Sequence, residues 1–270
     1  MRLSLFAPLD RARAPAPASA KVSWLGQSTY AHRGLHGDAV PENSPSAFAA
    51  AMSAGLGIEC DIQRAADGQA MVFHDAELDR LTGETGPLKR RSAEQLARIT
   101  LTGSDDTIPT LRAVLDAVAG QVPILIELKN DSERATRASA ACLAVRRVLE
   151  GYRGRHAVMS FDPRLVRWFA DHSPLTVRGL VVTEENDKAL PGRVRRHLSL
   201  WHAKPDFLAY DIRDLPSKFA AAQRARGLPV LAWTVRTPEQ RARASAHADA
   251  AIGEGPTFAK NNGLEDTSQP

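Results

Sequence analysis

Two carboxylates stand two positions apart in an apolar segment, at Glu59 and Asp61. The segment reads Ile-Glu-Cys-Asp-Ile, which is typical of a β-strand, and alternate strand side chains share a face. Two carboxylates on one strand face suit a hard divalent cation, Mg²⁺ or Ca²⁺. The alternative is a solvated strand face. The flanking apolar residues and two histidines nearby in sequence, His32 and His74, favour the metal site.

A third carboxylate, Glu127, interrupts another apolar run, Ile-Leu-Ile-Glu-Leu-Lys. A continuous apolar run of this kind is typical of a buried parallel strand. If Glu127 lies beside Glu59 and Asp61, the three could not all stay ionised without a cation among them. A salt bridge to Lys129, two residues on, is the alternative role for Glu127.

The two histidines suit proton transfer, because an imidazole titrates near neutral pH. His32 ends one strand-like segment, and His74 follows another. Hydrolysis of an ester needs one proton removed from the attacking oxygen and another given to the leaving oxygen. The alternative is that both are core histidines whose hydrogen-bonding groups are satisfied within the protein. The sequence does not assign the acid and the base, nor choose between water and a substrate hydroxyl as nucleophile.

Two cations also stand at strand ends, Arg33 and Lys129. Arginine recognises phosphate through two parallel hydrogen bonds, and lysine acts as a compact point charge. Both could bind a phosphodiester and stabilise the charge of its transition state. They could equally be counter-ions to the carboxylates, and the two roles are compatible.

The rest of the chain alternates short apolar segments with helical patterns. A helix is expected over residues 45–55, since Ser44 is a capping residue and Pro45 suits the first helical position. Asp67-Gly68 predicts a hairpin whose second arm delivers His74. The eight predicted strands cover residues 29–33, 57–63, 123–128, 156–160, 177–182, 207–211, 229–235 and 250–252. Further helices are predicted over residues 111–118, 134–150, 217–226 and 238–247.

This order predicts a parallel α/β fold. The polar residues cluster at the ends of strands one, two, three and seven, where barrel active sites form. The chain also lacks a Gly-x-Gly-x-x-Gly or Walker loop. We therefore expect a single-domain (β/α)₈ TIM barrel, with a short insert after the second strand at residues 78–108. Within that insert, residues 92–99 have a helical pattern.

Composition sets wider limits. The chain has 270 residues, 43% hydrophobic and 24% charged, with a net charge of +4. These values describe an ordinary globular protein whose charge is too small to indicate nucleic acid and is compatible with anionic substrates. Two distant cysteines, Cys60 and Cys142, predict neither a disulfide framework nor a metal cluster and fit a reducing compartment.

We expect an amino-terminal arm at residues 1–28, the barrel at 29–258 and a tail at 259–270. The apolar run from residue 3 to 9 is short and meets charged residues at once, which favours an ordinary arm over a secretory signal. No stretch approaches the roughly 18 apolar residues of a membrane span. A cytoplasmic location is expected, with export the lesser alternative, and the sequence does not fix the oligomeric state.

The motifs together resemble the glycerophosphodiester phosphodiesterase family. Members carry His-Arg-Gly, Pro-Glu-Asn-Ser/Thr, Glu-x-Asp and His-Asp in this order, with a Glu-Leu-Lys downstream. The matching residues are His32-Arg33-Gly34, Pro41-Glu42-Asn43-Ser44, Glu59 with Asp61, His74-Asp75, and Glu127-Leu128-Lys129. The resemblance is strongest over residues 30–75 and extends more weakly to about 258.

The resemblance implies a TIM-barrel hydrolase of glycerophosphodiesters, such as glycerophosphocholine or glycerophosphoethanolamine, that yields glycerol 3-phosphate and an alcohol. It places a Mg²⁺ or Ca²⁺ ion on the three carboxylates. It assigns His32 and His74 to acid–base catalysis, with His74 commonly taken as the acid. The remaining substrate contacts that it suggests are Arg33, Lys129, Glu42, Asn43 and Trp233.

Three residues or segments keep alternative roles. Asn43 could bind in the site or simply hold its turn, and Trp233 could line the alcohol pocket or pack in the core. The basic segment at residues 193–204 is interpreted as a solvated face rather than a membrane or nucleic-acid patch. The histidines outside the motifs are interpreted as surface or core residues: His36, His156, His172, His197, His202 and His247.

The chain departs from the family pattern near its end. Arg236 replaces an Asn after Trp-Thr-Val, and Gly253-Glu254-Gly255-Pro256 replaces Thr-Asp-x-Pro. Both changes lie at the rim of the alcohol pocket, so the head-group preference is left open. A lysophospholipase D-like activity on longer lipids and a non-catalytic phosphoester-binding barrel remain the alternative functions. Nucleic acid and stable membrane insertion are not expected.

Overall fold

The computed structural model describes residues 6–129, 135–185, 188–255 and 258. These residues form two compact units. The motif unit comprises residues 29–156 and those described from 253 onward, and it contains all four amino-terminal motifs. The second unit comprises the described residues up to 28 together with residues 157–252.

The strands and helices follow in chain order. The strands are β1 Tyr30–Ala31, β2 Gly57–Arg64, β3 Ala70–Val72, β4 Ile124–Leu128, β5 His156–Ser160, β6 Val177–Val182, β7 Phe207–Asp211, β8 Val230–Val235 and β9 Ala250–Gly253. The α-helices are α1 Ala7–Arg13, α2 Ser19–Val22, α3 Pro45–Ser53, α4 Ala93–Leu96, α5 Leu111–Val118, α6 Ala135–Leu149, α7 Pro163–His172, α8 Leu190–Ala203, α9 Lys218–Ala225 and α10 Pro238–His247.

In the motif unit, β2 is the central strand. It pairs in parallel with β1 and with β4, and antiparallel with β3. The predicted hairpin therefore forms, and Gly68 at its turn has φ +87°, a left-handed value that glycine adopts without a steric penalty. Every β2 residue except Arg64 is buried, because parallel strands are covered on both faces. The carboxylates of Glu59 and Asp61 accordingly lie in the interior and not on a solvated face.

The helix after β1 begins as the sequence predicts. Ser44 accepts a hydrogen bond from the backbone N–H of Ala47, and Pro45 occupies the first helical position. The helix ends at Ser53, two residues before the predicted end. β1 is shorter than the predicted strand, because Arg33 adopts a left-handed φ of 56° and turns the chain away from β2.

The insert at residues 78–108 packs its apolar side chains, together with Ala65, Met71 and Phe73, into a small core. Leu78, Leu88, Leu96 and Ile108 are among its fully buried members. Its helix, α4, covers only part of the predicted residues 92–99, and Ser92 caps its amino-terminal end. The small core fixes the segment that follows β3 and therefore the end of that strand.

In the second unit, β5, β6, β7 and β8 pair in parallel, and β9 lies beside β8. The bounds of β6, β7 and α10 equal those predicted. One interpretation needs correction: residues 193–204 do not form a solvated face throughout. They belong to α8, in which Arg193 and Arg195 are exposed but Arg196 and His197 are buried.

The amino-terminal segment contains a helix that the sequence did not indicate. In α1, Asp10 is buried and accepts three hydrogen bonds, each of 2.8 Å, from side chains of α8 and α9. The donors are His197 Nδ1, Trp201 Nε1 and Gln223 Nε2. This helix is held by tertiary hydrogen bonds, which explains why no periodic pattern reveals it.

The succession of parallel strands and helices confirms the predicted (β/α)₈-barrel class, with β3 as the antiparallel addition. Within the described parts of the chain, none of the helices is both long enough and apolar enough to span a bilayer.

Candidate active site

The loop after β1 brings the first motif against β2. Arg33 and Gly34 both adopt left-handed φ values, of 56° and 80°. A Cβ atom at Gly34 would lie 2.8 Å from the Cβ of Ala47, so only glycine fits here. The turn aims the backbone N–H of Arg33 at Glu59 Oε2, 3.0 Å away.

Three carboxylates meet on the paired strands β2 and β4. Asp61 and Glu127 are directly paired across the two strands, and Glu59 lies on the same face of β2. One oxygen from each of the three lies within 4.8 Å of the others. All three are buried, and Glu59 Oε1 has no hydrogen-bond partner among the described residues.

Two cations border the carboxylates. Lys129 Nζ lies 2.7 Å from Asp61 Oδ1 and 2.5 Å from Glu127 Oε1. Arg33 Nε lies 3.2 Å from Asp61 Oδ2. The salt bridge considered for Glu127 therefore forms, but it includes Asp61, and among the described residues no lysine or arginine side chain pairs with Glu59.

This arrangement gives the three carboxylates different pKa values. Burial, with the neighbouring Asp61 and Glu127 carboxylates, raises the pKa of Glu59 well above its usual range. Burial also raises the pKa of Glu127 to about 7, although Lys129 opposes it. For Asp61, burial alone would raise the pKa, but Lys129 and Arg33 outweigh it and lower the pKa to about 2.

His32 is held by a carboxylate from the far end of the chain. Its Nδ1 lies 2.5 Å from Glu254 Oε2, and its Nε2 lies 4.0 Å from Glu59 Oε2. An ionised carboxylate only accepts, so Nδ1 carries the proton of the neutral ring and Nε2 is left as an acceptor. Burial lowers the pKa of His32, and the hydrogen bond to Glu254 partly opposes this.

His74 has a similar arrangement with a local partner. Its Nδ1 lies 2.6 Å from Asp75 Oδ1. Gln63 on β2 donates a hydrogen bond to the backbone carbonyl of His74, which fixes the residue beside β2. The side chain is 30% exposed, whereas that of His32 is 13% exposed. Both imidazoles thus have Nδ1 on a carboxylate and Nε2 available for substrate protons.

The Pro-Glu-Asn-Ser loop supports the site. Asn43 donates to Asp61 Oδ2 at 2.9 Å and accepts from the Asp61 backbone N–H at 3.1 Å. Glu42 Oε1 accepts from Arg33 Nη1 at 2.8 Å and from Arg80 Nη2 at 2.7 Å. Glu42 and Asn43 are therefore both engaged by neighbouring side chains of the site.

Trp233, the last of the predicted site residues, belongs to the second unit. It lies on β8 and makes an edge contact with Phe161, with ring centroids 5.4 Å apart. Phe161 is 46% exposed, and the indole Nε1 has no partner among the described residues. The other predicted site residues all belong to the motif unit.

The sequence analysis missed several contributors to the site. Glu254 appeared there only as a departure from the family pattern, and Arg80 was not considered. His36, interpreted as a surface or core residue, lies 3.5 Å from Glu254 Oε2. His32, His36 and Glu254 also have the composition of a metal site. Among the described residues, the hydrogen bond in this group is the one between His32 and Glu254, and His36 Nε2 makes none.

The three carboxylates fit a divalent cation. They are all-oxygen donors and mutually close, and Glu59 Oε1 is a buried acceptor without a donor. A hard cation would satisfy that atom and stabilise the ionised forms of Glu59 and Glu127. Two cations and two imidazoles border the same cluster. The cations could neutralise the charge of a bound phosphodiester, and the imidazoles could donate and accept its protons.

Comparison with known proteins identifies the family of the chain. The Glycerophosphoryl diester phosphodiesterase family matches residues 32–254. The chain belongs to this family. That match confirms the predicted family and the enzyme class of phosphoric diester hydrolases, and it includes every predicted site residue.

Individual relatives agree with this assignment to the glycerophosphodiester phosphodiesterases. YhdW of Bacillus subtilis (strain 168) is 29% identical over 225 residues, covering 80% of this chain and 89% of that protein. Glycerophosphodiester phosphodiesterase 1 of Bos taurus is 26% identical over 263 residues, covering 82% and 75%. An Oleispira antarctica phosphodiesterase, solved in complex with the product sn-glycerol-3-phosphate, superimposes with a TM-score of 0.75 at 22% identity, covering 87% and 96%.

Proposed function

We propose that this enzyme hydrolyses glycerophosphodiesters, such as glycerophosphocholine and glycerophosphoethanolamine, to glycerol 3-phosphate and the free alcohol in a metal-dependent reaction. One observation carries the proposal: a buried cluster of three carboxylates lies beside Arg33 and Lys129 and is flanked by His32 and His74, each held through Nδ1 by a carboxylate. The product bound to the Oleispira antarctica phosphodiesterase supports the glycerol 3-phosphate half of the substrate.

Glu59, Asp61 and Glu127 would hold a Mg²⁺ or Ca²⁺ ion. When bound, the ion would neutralise charge on a phosphate oxygen and make the phosphorus more electrophilic. Arg33 and Lys129 would bind the remaining phosphate oxygens. Their charges are already fixed in place by the carboxylates, so they need little rearrangement as charge develops in the transition state.

The histidines would transfer the protons. The attacking oxygen, from water or from the neighbouring glycerol hydroxyl, loses its proton to the Nε2 of one imidazole. The leaving alkoxide receives a proton from Nε2–H of the other imidazole in its protonated form. Attack by the hydroxyl would first form a cyclic phosphate, which a water molecule would then open to glycerol 3-phosphate by the same two proton transfers. From the family resemblance, we assign the acid role to His74 and the base role to His32.

A substrate panel after metal removal tests the proposal. The enzyme is treated with EDTA, desalted and assayed with glycerophosphocholine, glycerophosphoethanolamine and a lysophospholipid, alone and with Mg²⁺ or Ca²⁺ added back. We expect release of glycerol 3-phosphate from the two glycerophosphodiesters only when a divalent cation is present. Full turnover by the metal-free enzyme would refute the metal assignment, and preference for the lysophospholipid would indicate a lysophospholipase D-like activity instead.

Matched variants then locate the ion. Glu59→Gln and Asp61→Asn should weaken divalent-cation binding, measured by competition with a fluorescent chelator. Glu84→Gln is the control, because Glu84 is an exposed carboxylate of the insert that pairs with Arg91. Equal cation affinity in all three variants would contradict the carboxylate site.

A further inference from the structure

Arg80, an arginine of the insert, contacts two carboxylates beside the candidate site, those of Glu42 and Asp75. Its Nη2 and Nη1 donate to the two carboxylate oxygens of Glu42, at 2.7 and 3.2 Å. Its Nε donates to Asp75 Oδ2 at 2.6 Å. The planar guanidinium thus bridges two carboxylates that belong to different motifs.

Each of those carboxylates holds a second group with a role in the proposed reaction. Glu42 Oε1 accepts from Arg33 Nη1 at 2.8 Å, and Asp75 Oδ1 lies 2.6 Å from His74 Nδ1. The five side chains therefore form one hydrogen-bonded series in which the carboxylates of Glu42 and Asp75 alternate with Arg33, Arg80 and His74.

We infer that Arg80 is a positioning residue that fixes the phosphate-binding guanidinium of Arg33 and the imidazole of His74 together. The inference rests on the proposed function, which gives Arg33 and His74 their roles. A carboxylate with one oxygen engaged can still rotate about its terminal bond. Arg80 engages the second oxygen of Asp75 and both oxygens of Glu42, so neither carboxylate can turn without breaking a hydrogen bond.

The geometry favours this role over a role in stability. Arg80 is 48% exposed, and ion pairs at such positions contribute only about 0–1 kcal/mol to folding. Lysine could not replace it, because an ammonium group lacks the planar fork that reaches both partners. The small misplacement of a reacting group that loss of Arg80 would cause is enough to lower turnover by roughly 10- to 100-fold.

Kinetics of Arg80→Ala and Arg80→Lys test the inference. Arg91→Ala is the matched control, since Arg91 forms an ion pair with Glu84 in the same insert but contacts no site residue. With glycerophosphocholine, we expect both Arg80 variants to lose roughly 10- to 100-fold in kcat/KM, and Arg91→Ala to keep wild-type values. Free guanidinium, at concentrations too low to denature, should restore part of the activity of Arg80→Ala but none of that of His74→Ala.

The leaving group separates the two contacts. The p-nitrophenolate group of a p-nitrophenyl phosphodiester leaves without being protonated. With this substrate, the part of the loss that arises through Asp75 and His74 should therefore disappear. The part that arises through Glu42 and Arg33 should remain. Wild-type kcat/KM in Arg80→Ala on both substrates would overturn the inference.

A spectroscopic measurement keeps this inference separate from the proposed function. Long-range ¹H–¹⁵N spectra report which imidazole nitrogen carries the proton, whether or not the protein turns over a substrate. His74 should be a single Nδ1–H tautomer in the wild type and in Arg91→Ala, and a mixture in Arg80→Ala. Absence of wild-type activity would refute the proposed function alone, whereas unchanged His74 signals in Arg80→Ala would refute the positioning role.

Discussion

The two histidines differ in how far their carboxylate partners lie along the chain. Asp75 is the next residue after His74, whereas Glu254 lies 222 positions from His32. Both contacts nevertheless leave Nε2 as the nitrogen that faces away from the carboxylate. At the residue scale, the proposed chemistry therefore depends on which Nε2 takes a proton and which gives one.

Replacement of each histidine tests that division. We expect His32→Ala and His74→Ala each to lower kcat by roughly 10²–10⁴, the usual contribution of one positioned acid or base. The two losses should combine non-additively, because both groups act on one transition state. A p-nitrophenyl phosphodiester should rescue His74→Ala, which lacks the acid, and should not rescue His32→Ala.

The opposite pattern of rescue would exchange the roles and keep the mechanism. Near wild-type kcat in both variants on glycerophosphocholine would show that neither histidine transfers protons.

Glu254 is expected to act through His32. Glu254→Gln removes the charge that holds the Nδ1 proton, so Nε2 becomes a weaker base. We expect kcat to fall roughly 10- to 100-fold, with little change in KM, because Glu254 contacts the imidazole and not the phosphate. Steady-state kinetics check this, with Glu77→Gln, an exposed carboxylate of the same unit, as the control. A change in KM alone would indicate that Glu254 binds substrate instead.

At the scale of elements, the turn between β1 and α3 sets the position of the first motif. Gly34→Ala would force a Cβ to within 2.8 Å of Ala47 at a φ of +80°. Strain at a left-handed position and overpacking together should cost about 2–3 kcal/mol in the free energy of unfolding. Urea denaturation measures this cost.

Gly37→Ala is the matched control for this turn. A Cβ there meets nothing within 4 Å, so the change should stay within about 0.5 kcal/mol. Equal stability of the two variants would show that the close approach of Gly34 to α3 does not constrain the turn.

At the scale of the whole molecule, Asp10 joins the amino-terminal helix to two helices near the other end of the chain. Burial alone would raise the pKa of Asp10, but hydrogen bonds from His197, Gln223 and Trp201 outweigh it and lower the pKa. A lowered folded-state pKa adds stability that is complete above the unfolded value, about 3.9, and is lost as pH falls through the folded-state value.

Asp10→Asn should therefore lower the free energy of unfolding by roughly 2 kcal/mol at neutral pH, with a smaller difference from wild type below about pH 4. Chemical denaturation across this pH range measures both values. Asp171→Asn is the control, because Asp171 forms an exposed i,i+4 pair with Arg167 and should contribute less than about 1 kcal/mol. A pH-independent difference for Asp10→Asn would show that the charge is not what the three donors stabilise.

Local patterns predicted more of the fold than of the contacts that complete the site. The bounds of β6, β7 and α10 were predictable because apolar runs and the Thr237-Pro238 cap specify them without distant partners. The helix α1 could not be predicted in this way, because its stability depends on the buried contacts of Asp10. The three carboxylates were predictable, since Glu59 and Asp61 share one face of a strand and Glu127 lies on the parallel strand beside it. The contributions of Glu254 and Arg80 could not be predicted, because only the folded chain brings these residues to His32 and Asp75. The roles predicted for the site residues, Trp233 among them, stay predictions, and so do the predicted domain boundaries.

The hydrogen bond between His32 and Glu254 also has a consequence for synthesis. Translation at about 5–20 residues per second needs roughly 10–45 s to cover the 222 positions between them. During that interval, the emerging polypeptide already carries His32 but not the carboxylate that orients it. The growing chain is consequently expected to pass through most of its synthesis with His32 unoriented. Full hydrolytic activity should arise only once Glu254, the residue directly after β9, has been made and can reach His32.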